Sequence, residues 1–349
     1  MLGGMVQGIS ATTGEALEIG FDRAITGVDP YLGDPEGLPY VAPGFIDLQV
    51  NGFAGADYNS GSTPLEEIER SLGVIFATGV TRLYPTVITG GGEEMTAAFR
   101  NLARARRELK HGAALEAFHC EGPYIAAEDG PRGAHPRHRV RKPDWEEFQR
   151  FQDAAEGNIR LLTMAPEWEG SPEFIEKVVA SGVVVAIGHT AATAEHIAEA
   201  VRAGATMSTH LGNGAHGEMK RHPNYIWEQM ANDQLTASFI VDGIHVGASF
   251  LKVGLRAKGI ERSVLVTDAV MPAGCAPGDY FLGEVAVTLD ADDSVRLRGG
   301  DRLAGAALKM HNAVANVMRM TGVSLRDAVT MATTNAARVG RVPNRLRGL

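Results

Sequence analysis

The chain has 349 residues, 44% of them hydrophobic and 21% charged, with a formal net charge of -9. That length suits one (β/α)8 barrel with an appendage, and the acidic balance argues against a nucleic-acid partner, which is bound through a net basic surface. No apolar run approaches the roughly 18 residues of a membrane span, the opening MLGGMVQGIS lacks the basic and apolar regions of a leader, and the two cysteines, Cys120 and Cys275, stand in unrelated contexts. A cytoplasmic protein without membrane contact or disulfide framework is therefore expected.

In chain order, residues 1–40 are Gly-rich, with short strand-like pieces at 16–19 and 24–28, and read as a small β appendage. Residues 41–349 read as the catalytic barrel. Its first strand spans 40–48 and delivers Asp47, Gln49 and Asn51 to its end. Further strands are expected at 80–85, 115–120, 159–164, 183–187, 205–209, 236–241 and 264–267, which makes eight, with helices at 65–77, 93–109, 144–155, 172–180 and 248–257 between them. This alternation is that of a parallel α/β protein. After the eighth strand, Val285, Val287 and Leu289 alternate, residues 290–293 form a polar turn, and Val295 and Leu297 alternate again, which predicts a β-hairpin. Helices over 306–320 and 325–339 complete the chain.

The stretch GVVVAIGHTAATAEHIAEAVRAGATMSTHLGN carries the densest chemistry. An unbroken apolar run ends at Gly188 just before His189, Thr193 caps a helix that Gly204 closes, and a second strand leads to His210. Histidines so placed sit on the same rim of a parallel sheet, at neighbouring strand ends. The third strand brings His119 and Glu121 to that rim, the sixth also Asn213, the seventh Asp242 and His245, and the eighth Asp268. Glu121, His189 and His210 form a three-ligand set for one divalent cation, with a position left open for water. Asp268 is then free to act as general base toward that water, whose pKa a bound metal lowers to roughly 7.

The motifs VAPGFIDLQVNGFAG, HCEGPYIAAEDGPRGAHP, GHTAATAEH, AGATMSTHLGN, IVDGIHV, LVTDAV, LAGAALKMHNAV and ATTNAARVG run in order from about residue 41 to residue 340. Together they resemble the N-acetylglucosamine-6-phosphate deacetylase family, a branch of the amidohydrolase superfamily. The resemblance implies a TIM barrel in which Glu121, His189 and His210 hold the metal and Asp268 is the catalytic acid and base. Ala134 and His135 match substrate-contacting positions, His135 near the acetyl group, where it assists catalysis. Asn213, Gly214, Arg221, Asp242, Gly243, Ile244, His245, Leu303, Ala304 and Gly305 match positions that hold the sugar phosphate. The implied reaction removes acetate from N-acetylglucosamine 6-phosphate, giving glucosamine 6-phosphate in amino-sugar catabolism, and the implied assembly is a homodimer. Two other readings are an amidohydrolase of the same mechanism acting on another N-acyl sugar or cyclic amide, and a non-catalytic sugar-phosphate binding protein.

Departures from the family pattern carry their own expectations. Many amidohydrolases place an HxH pair after the first strand and bind two metals, whereas Gln49 and Asn51 stand here. Neutral amides are poor ligands beside imidazole and carboxylate, so one metal ion is expected, zinc before iron or another divalent ion, with the two amides contacting ligands or substrate. After His210 the family reads close to LYNAM but this chain reads LGNGAH, losing an aromatic at Gly212 and gaining His216. His216 and His222 read either as phosphate contacts or as solvated loop residues. The chain stops at NRLRGL, where the family continues with strands that return to the appendage, so an incomplete appendage with an exposed edge is expected.

Overall fold

The computed structural model describes residues 3–22, 24–283 and 285–342. Eight parallel strands form one sheet in sequential order: β1 (Phe45–Val50), β2 (Val80–Ile88), β3 (Phe118–Glu121), β4 (Ile159–Met164), β5 (Val184–Ile187), β6 (Met207–Ser208), β7 (Thr236–Ile240) and β8 (Ser263–Val266). The sheet closes on itself. Just beyond β8, Asp268 N–H donates to Gln49 O at 3.0 Å, and Asn51 N–H donates to Ala269 O at 2.7 Å. Side chains reinforce the seam, since Thr267 Oγ1 donates to Asp47 Oδ2 at 2.6 Å. This is a (β/α)8 barrel, and the strands β3, β5 and β8 are buried along their whole length because helices cover one face and the barrel interior the other.

Helices alternate with the strands. In α1 (Leu65–Phe76) Ile68, Ser71, Leu72 and Ile75 are buried, the spacing of one helical face, while Glu66 and Glu67 occupy its first turn. The others on the barrel wall are α2 (Gly92–Glu108), α3 (Trp145–Ala154), α4 (Ser171–Ala180), α5 (Ala194–Arg202), α6 (Tyr225–Ala231) and α7 (Ala248–Lys258), followed by α8 (Met310–Thr321), α9 (Leu325–Ala332) and α10 (Thr334–Val339). Thr193 caps α5 as expected, accepting from His196 N–H. The helix expected over 325–339 breaks at Thr333, whose φ of -129° and ψ of -85° cannot continue a helix. Asn335 then anchors α10 under β8, donating to Ile260 O and Ser263 O at 2.7 and 2.9 Å.

Two small sheets flank the barrel. The first is Gly4–Ser10, Ala16–Phe21 and Ile25–Pro30 as an antiparallel meander, with Tyr40–Val41 added in parallel beside Gly4–Ser10. Expected as one strand, residues 40–48 are therefore two: Pro43 lacks the N–H a continuous ladder needs, and the chain passes from one sheet to the other there. The second sheet has four antiparallel strands, Gly278–Leu282, Val285–Leu289, Ser294–Leu297 and Leu303–Ala306, where only the central hairpin was expected. Its last strand lies beside the end of β8, with Ala306 N–H donating to Asp268 O at 3.0 Å. The terminal segment Asn344–Leu349, which carries the expectation about the short C-terminus, lies outside the described residues. No described helix is long and apolar enough to cross a membrane.

Candidate active site

The rim at the strand C-termini opens into a cavity of about 600 Å³, one wall of which is built by the second small sheet through Leu282, Val285, Arg302 and Leu303. Three ligating atoms meet at its floor. Glu121 Oε1 lies 3.0 Å from His210 Nε2 and 3.3 Å from His189 Nε2, and the two imidazole nitrogens are 3.1 Å apart. A tetrahedral ion with ligands at about 2.0–2.1 Å sets them about 3.3 Å apart, so this donor set fits one such cation. His189 Nδ1 donates to Pro131 O at 2.9 Å, which leaves Nε2 with its lone pair toward the centre. Burial opposes a charged Glu121, but the two imidazoles beside its Oε1 outweigh it and hold the carboxyl well below its usual range.

The backbone is bent to present these groups. His189, His210 and Asp268 have φ of 50°, 29° and 51°, left-handed values that cost roughly 1–3 kcal/mol each in a non-glycine residue. Ser238 Oγ holds His210 N–H at 2.7 Å. The glycine-rich loop after β6 lies directly on the His189 ring: a Cβ at Gly214 would stand 2.6 Å from His189 Nδ1. Below this floor the interior is polar. His119, whose pKa burial lowers to about 4, bonds Thr163 Oγ1 at 2.7 Å, and Thr163 bonds Thr209 at 2.6 Å.

Gln49 and Asn51 turn their amide nitrogens to the carboxylates. Gln49 Nε2 donates to Glu121 Oε1 at 2.9 Å and to Asp268 Oδ1 at 3.0 Å, using both of its N–H bonds, and Asn51 Nδ2 donates to the same Asp268 oxygen at 2.7 Å. Among the described residues, both hydrogen bonds to the Asp268 carboxylate fall on Oδ1 and none on Oδ2. Burial first, and the Glu121 charge second, push its pKa up to about 6. His135 is brought in by the loop after β3, with its ring 4.4 Å from that of His189 and its Nδ1 2.8 Å from Thr89 Oγ1. Burial and the neighbouring His189 push its pKa down to about 3, so it is a neutral imidazole.

Of the positions matched to the substrate and its phosphate, Ala134, Asn213, Gly214, His245, Leu303, Ala304 and Gly305 line the cavity. Asp242 stands behind His245, accepting from its backbone N–H at 2.8 Å and bonding its Nδ1 at 2.6 Å, and these bonds keep Asp242 ionised against the cost of burial. Gly243 and Ile244 complete that turn without reaching the lining, and Arg221 is exposed and absent from it. At Gly212, where the family carries an aromatic, a Cβ would meet the Phe250 ring at 2.7 Å, so a side chain from α7 occupies that space. His216 is tied to Tyr225 OH at 2.9 Å and to Glu128 Oε1 at 3.0 Å, and His222 is exposed; neither lines the cavity. Sequence reasoning missed Thr89, the Pro131 carbonyl and Arg302. Each arrives on a segment whose only signal is its place in the fold.

The model of the amidohydrolase family matches residues 40–346. The N-acetylglucosamine-6-phosphate deacetylase of Bos taurus is 33% identical over 313 residues, covering 86% of this chain and 74% of that protein. An N-acetylgalactosamine-6-phosphate deacetylase from Shewanella sp. is 35% identical over 297 residues, covering 84% and 72%. A solved mutant of the N-acetyl-D-glucosamine-6-phosphate deacetylase from Mycobacterium smegmatis, in complex with N-acetyl-D-glucosamine-6-phosphate, superposes with a TM-score of 0.86 at 30% identity, over 98% of this chain and 91% of that one. A shared barrel, a shared order of motifs and this degree of identity have one consequence: the chain belongs to the amidohydrolase family, as a close relative of the N-acetylglucosamine-6-phosphate deacetylases.

Proposed function

We propose that the protein is a metal-dependent hydrolase that releases acetate from N-acetylglucosamine 6-phosphate. The observation that carries this reading is the convergence of Glu121, His189 and His210, with ligand atoms within 4.8 Å of one another, beside an Asp268 that the same glutamine ties to Glu121. A divalent ion, zinc by ligand type, supplies Lewis acidity there when bound. Asp268 has one free oxygen and a pKa raised toward neutrality, which suits it to take the proton of the attacking water and return it to the leaving amine. Neutral His135 has one ring N–H to offer; in the tautomer that carries it on Nε2, with Nδ1 bonded to Thr89 Oγ1, that N–H serves the acetyl oxygen. His245, fixed by Asp242, and the backbone at Asn213 and Gly214 line the rest of the cavity and hold the sugar phosphate. Arg221 contributes from the exposed loop across a homodimer interface rather than from within its own cavity.

A second reading is favoured by one observation. The N-acetylgalactosamine-6-phosphate deacetylase from Shewanella has a higher identity, 35%, than the Bos taurus enzyme at 33%. The test is acetate release from both N-acetylhexosamine 6-phosphates and from their unphosphorylated forms. Preference for N-acetylglucosamine 6-phosphate supports the first reading and preference for the galacto epimer the second, whereas no acetate from any of the four overturns both.

A further inference from the structure

The cavity lining contains three carboxylates, Glu121, Asp268 and Asp301, and among the described lining residues one guanidinium or ammonium group, that of Arg302. Among the described lining residues it is the permanently charged cation that a phosphate dianion would meet. Arg302 stands at the start of the Leu303–Ala306 strand and reaches across to the loop that carries His135. There Nη1 and Nη2 donate to Asp129 Oδ1 and Oδ2 at 3.0 and 3.1 Å, and Nη1 also donates to Gly133 O at 3.3 Å.

A guanidinium has five N–H bonds. These contacts use both on Nη1 and one on Nη2, which leaves the Nε–H and the second Nη2–H, the two that form the side-on fork, without a hydrogen-bond partner among the described residues. Asp129 does not cancel the charge, because Arg132 Nη2 binds its Oδ1 as well, at 2.6 Å. Two guanidiniums and one carboxylate give this cluster a net positive charge, with a bidentate donor pair open. That pair matches two oxygens of a phosphate.

We infer that Arg302 is the specificity-determining residue for the anionic end of the substrate, binding its phosphate through Nε and Nη2 while Asp129 and the Gly133 carbonyl hold the other edge of the guanidinium. The inference rests on the proposed reading that the substrate is an amino-sugar phosphate, and it replaces Arg221, which this cavity does not contain, as the arginine within the site.

The experiment compares metal-loaded wild type with Arg302→Ala and Arg302→Lys on an N-acetylhexosamine with and without its 6-phosphate. Inorganic phosphate is measured as a ligand of each by calorimetry. For Arg302→Ala the ratio of kcat/KM for the phosphorylated over the unphosphorylated sugar should fall by about 10-fold to 200-fold, as for loss of a charge-assisted pair of hydrogen bonds. Arg302→Lys, which keeps the charge but not the fork, should recover only part of it, and phosphate affinity should fall in the same order. An unchanged ratio in both variants, or phosphate binding that neither variant weakens, overturns the assignment while leaving the deacetylase reading intact. Should wild type release no acetate at all, that reading fails alone and phosphate binding decides Arg302: weakened binding in both folded variants supports the assignment, and equal or absent binding overturns it. Should Arg302→Ala fail to fold, the lysine variant carries the same comparison.

Discussion

Asp268 gives one oxygen to the protein and keeps the other. Oδ1 accepts from both Gln49 and Asn51, so Asp268→Asn removes the proton acceptor while leaving a side chain of the same shape. Metal content should be unchanged and kcat should fall by roughly 10² to 10⁴; turnover near that of wild type would place the base elsewhere. The hydrogen bond from Asn51 lowers the Asp268 pKa against the upward push of burial and of Glu121. In Asn51→Ala that restraint is gone, so the carboxylate protonates at higher pH. The acid limb of the kcat/KM profile should move upward, and a limb that stays in place or moves down would show that Asp268 does not govern it. At this scale the sequence was readable wherever a strand end names its own chemistry, as at Glu121, His189, His210 and Asp268. It was silent on Thr89 and the Pro131 carbonyl, because a threonine or a backbone oxygen becomes a partner of histidine only when distant segments meet.

The seam between β1 and β8 is the element on which the floor of the site rests. Asp47 is buried there against Thr267, and burial pushes its pKa from 3.8 to about 7. The native state therefore keeps a proton that the unfolded chain has lost. Its contribution to stability is fully present below about pH 4 and is lost as pH rises through about 7, with a slope of at most about 1.4 kcal/mol per pH unit. Asp47→Asn should abolish that slope, measured as denaturant midpoints across pH 4 to 8; parallel profiles for the two proteins would mean that Asp47 folds already ionised. The loop after β6 is the other supporting element. Gly214 has φ of 56°, and a Cβ there would press on His189, so Gly214→Ala should weaken metal binding through the misplaced imidazole, read by competition with a chelator. Unchanged affinity would show that the loop yields without moving His189. The barrel strands were legible from apolar runs ending in glycine or polar residues. The strand Leu303–Ala306 was not, since small residues beside β8 carry no alternation, and it is this strand that brings Arg302 to the cavity.

Across the whole molecule, the eight-stranded alternation was visible because strands such as Val184–Ile187 are continuous apolar runs and the helices between strands are amphipathic. The appendage and the second small sheet were only partly visible, for their strands are short, half-exposed and interrupted by glycine and proline. Both the fold and the site make the same global demand, that three strands separated in sequence deliver one ligand each. A cation bound by the folded chain alone stabilises it by mass action, so chelation should lower Tm and readdition of zinc restore it. The central claim is that one ion at Glu121, His189 and His210 supports amide hydrolysis, with Gln49 and Asn51 excluding a second. Titrating metal-free protein with zinc while measuring acetate release tests this directly. Activity should rise linearly and stop at about one equivalent per chain, and activity that needs two equivalents, or that persists without metal, would contradict the account.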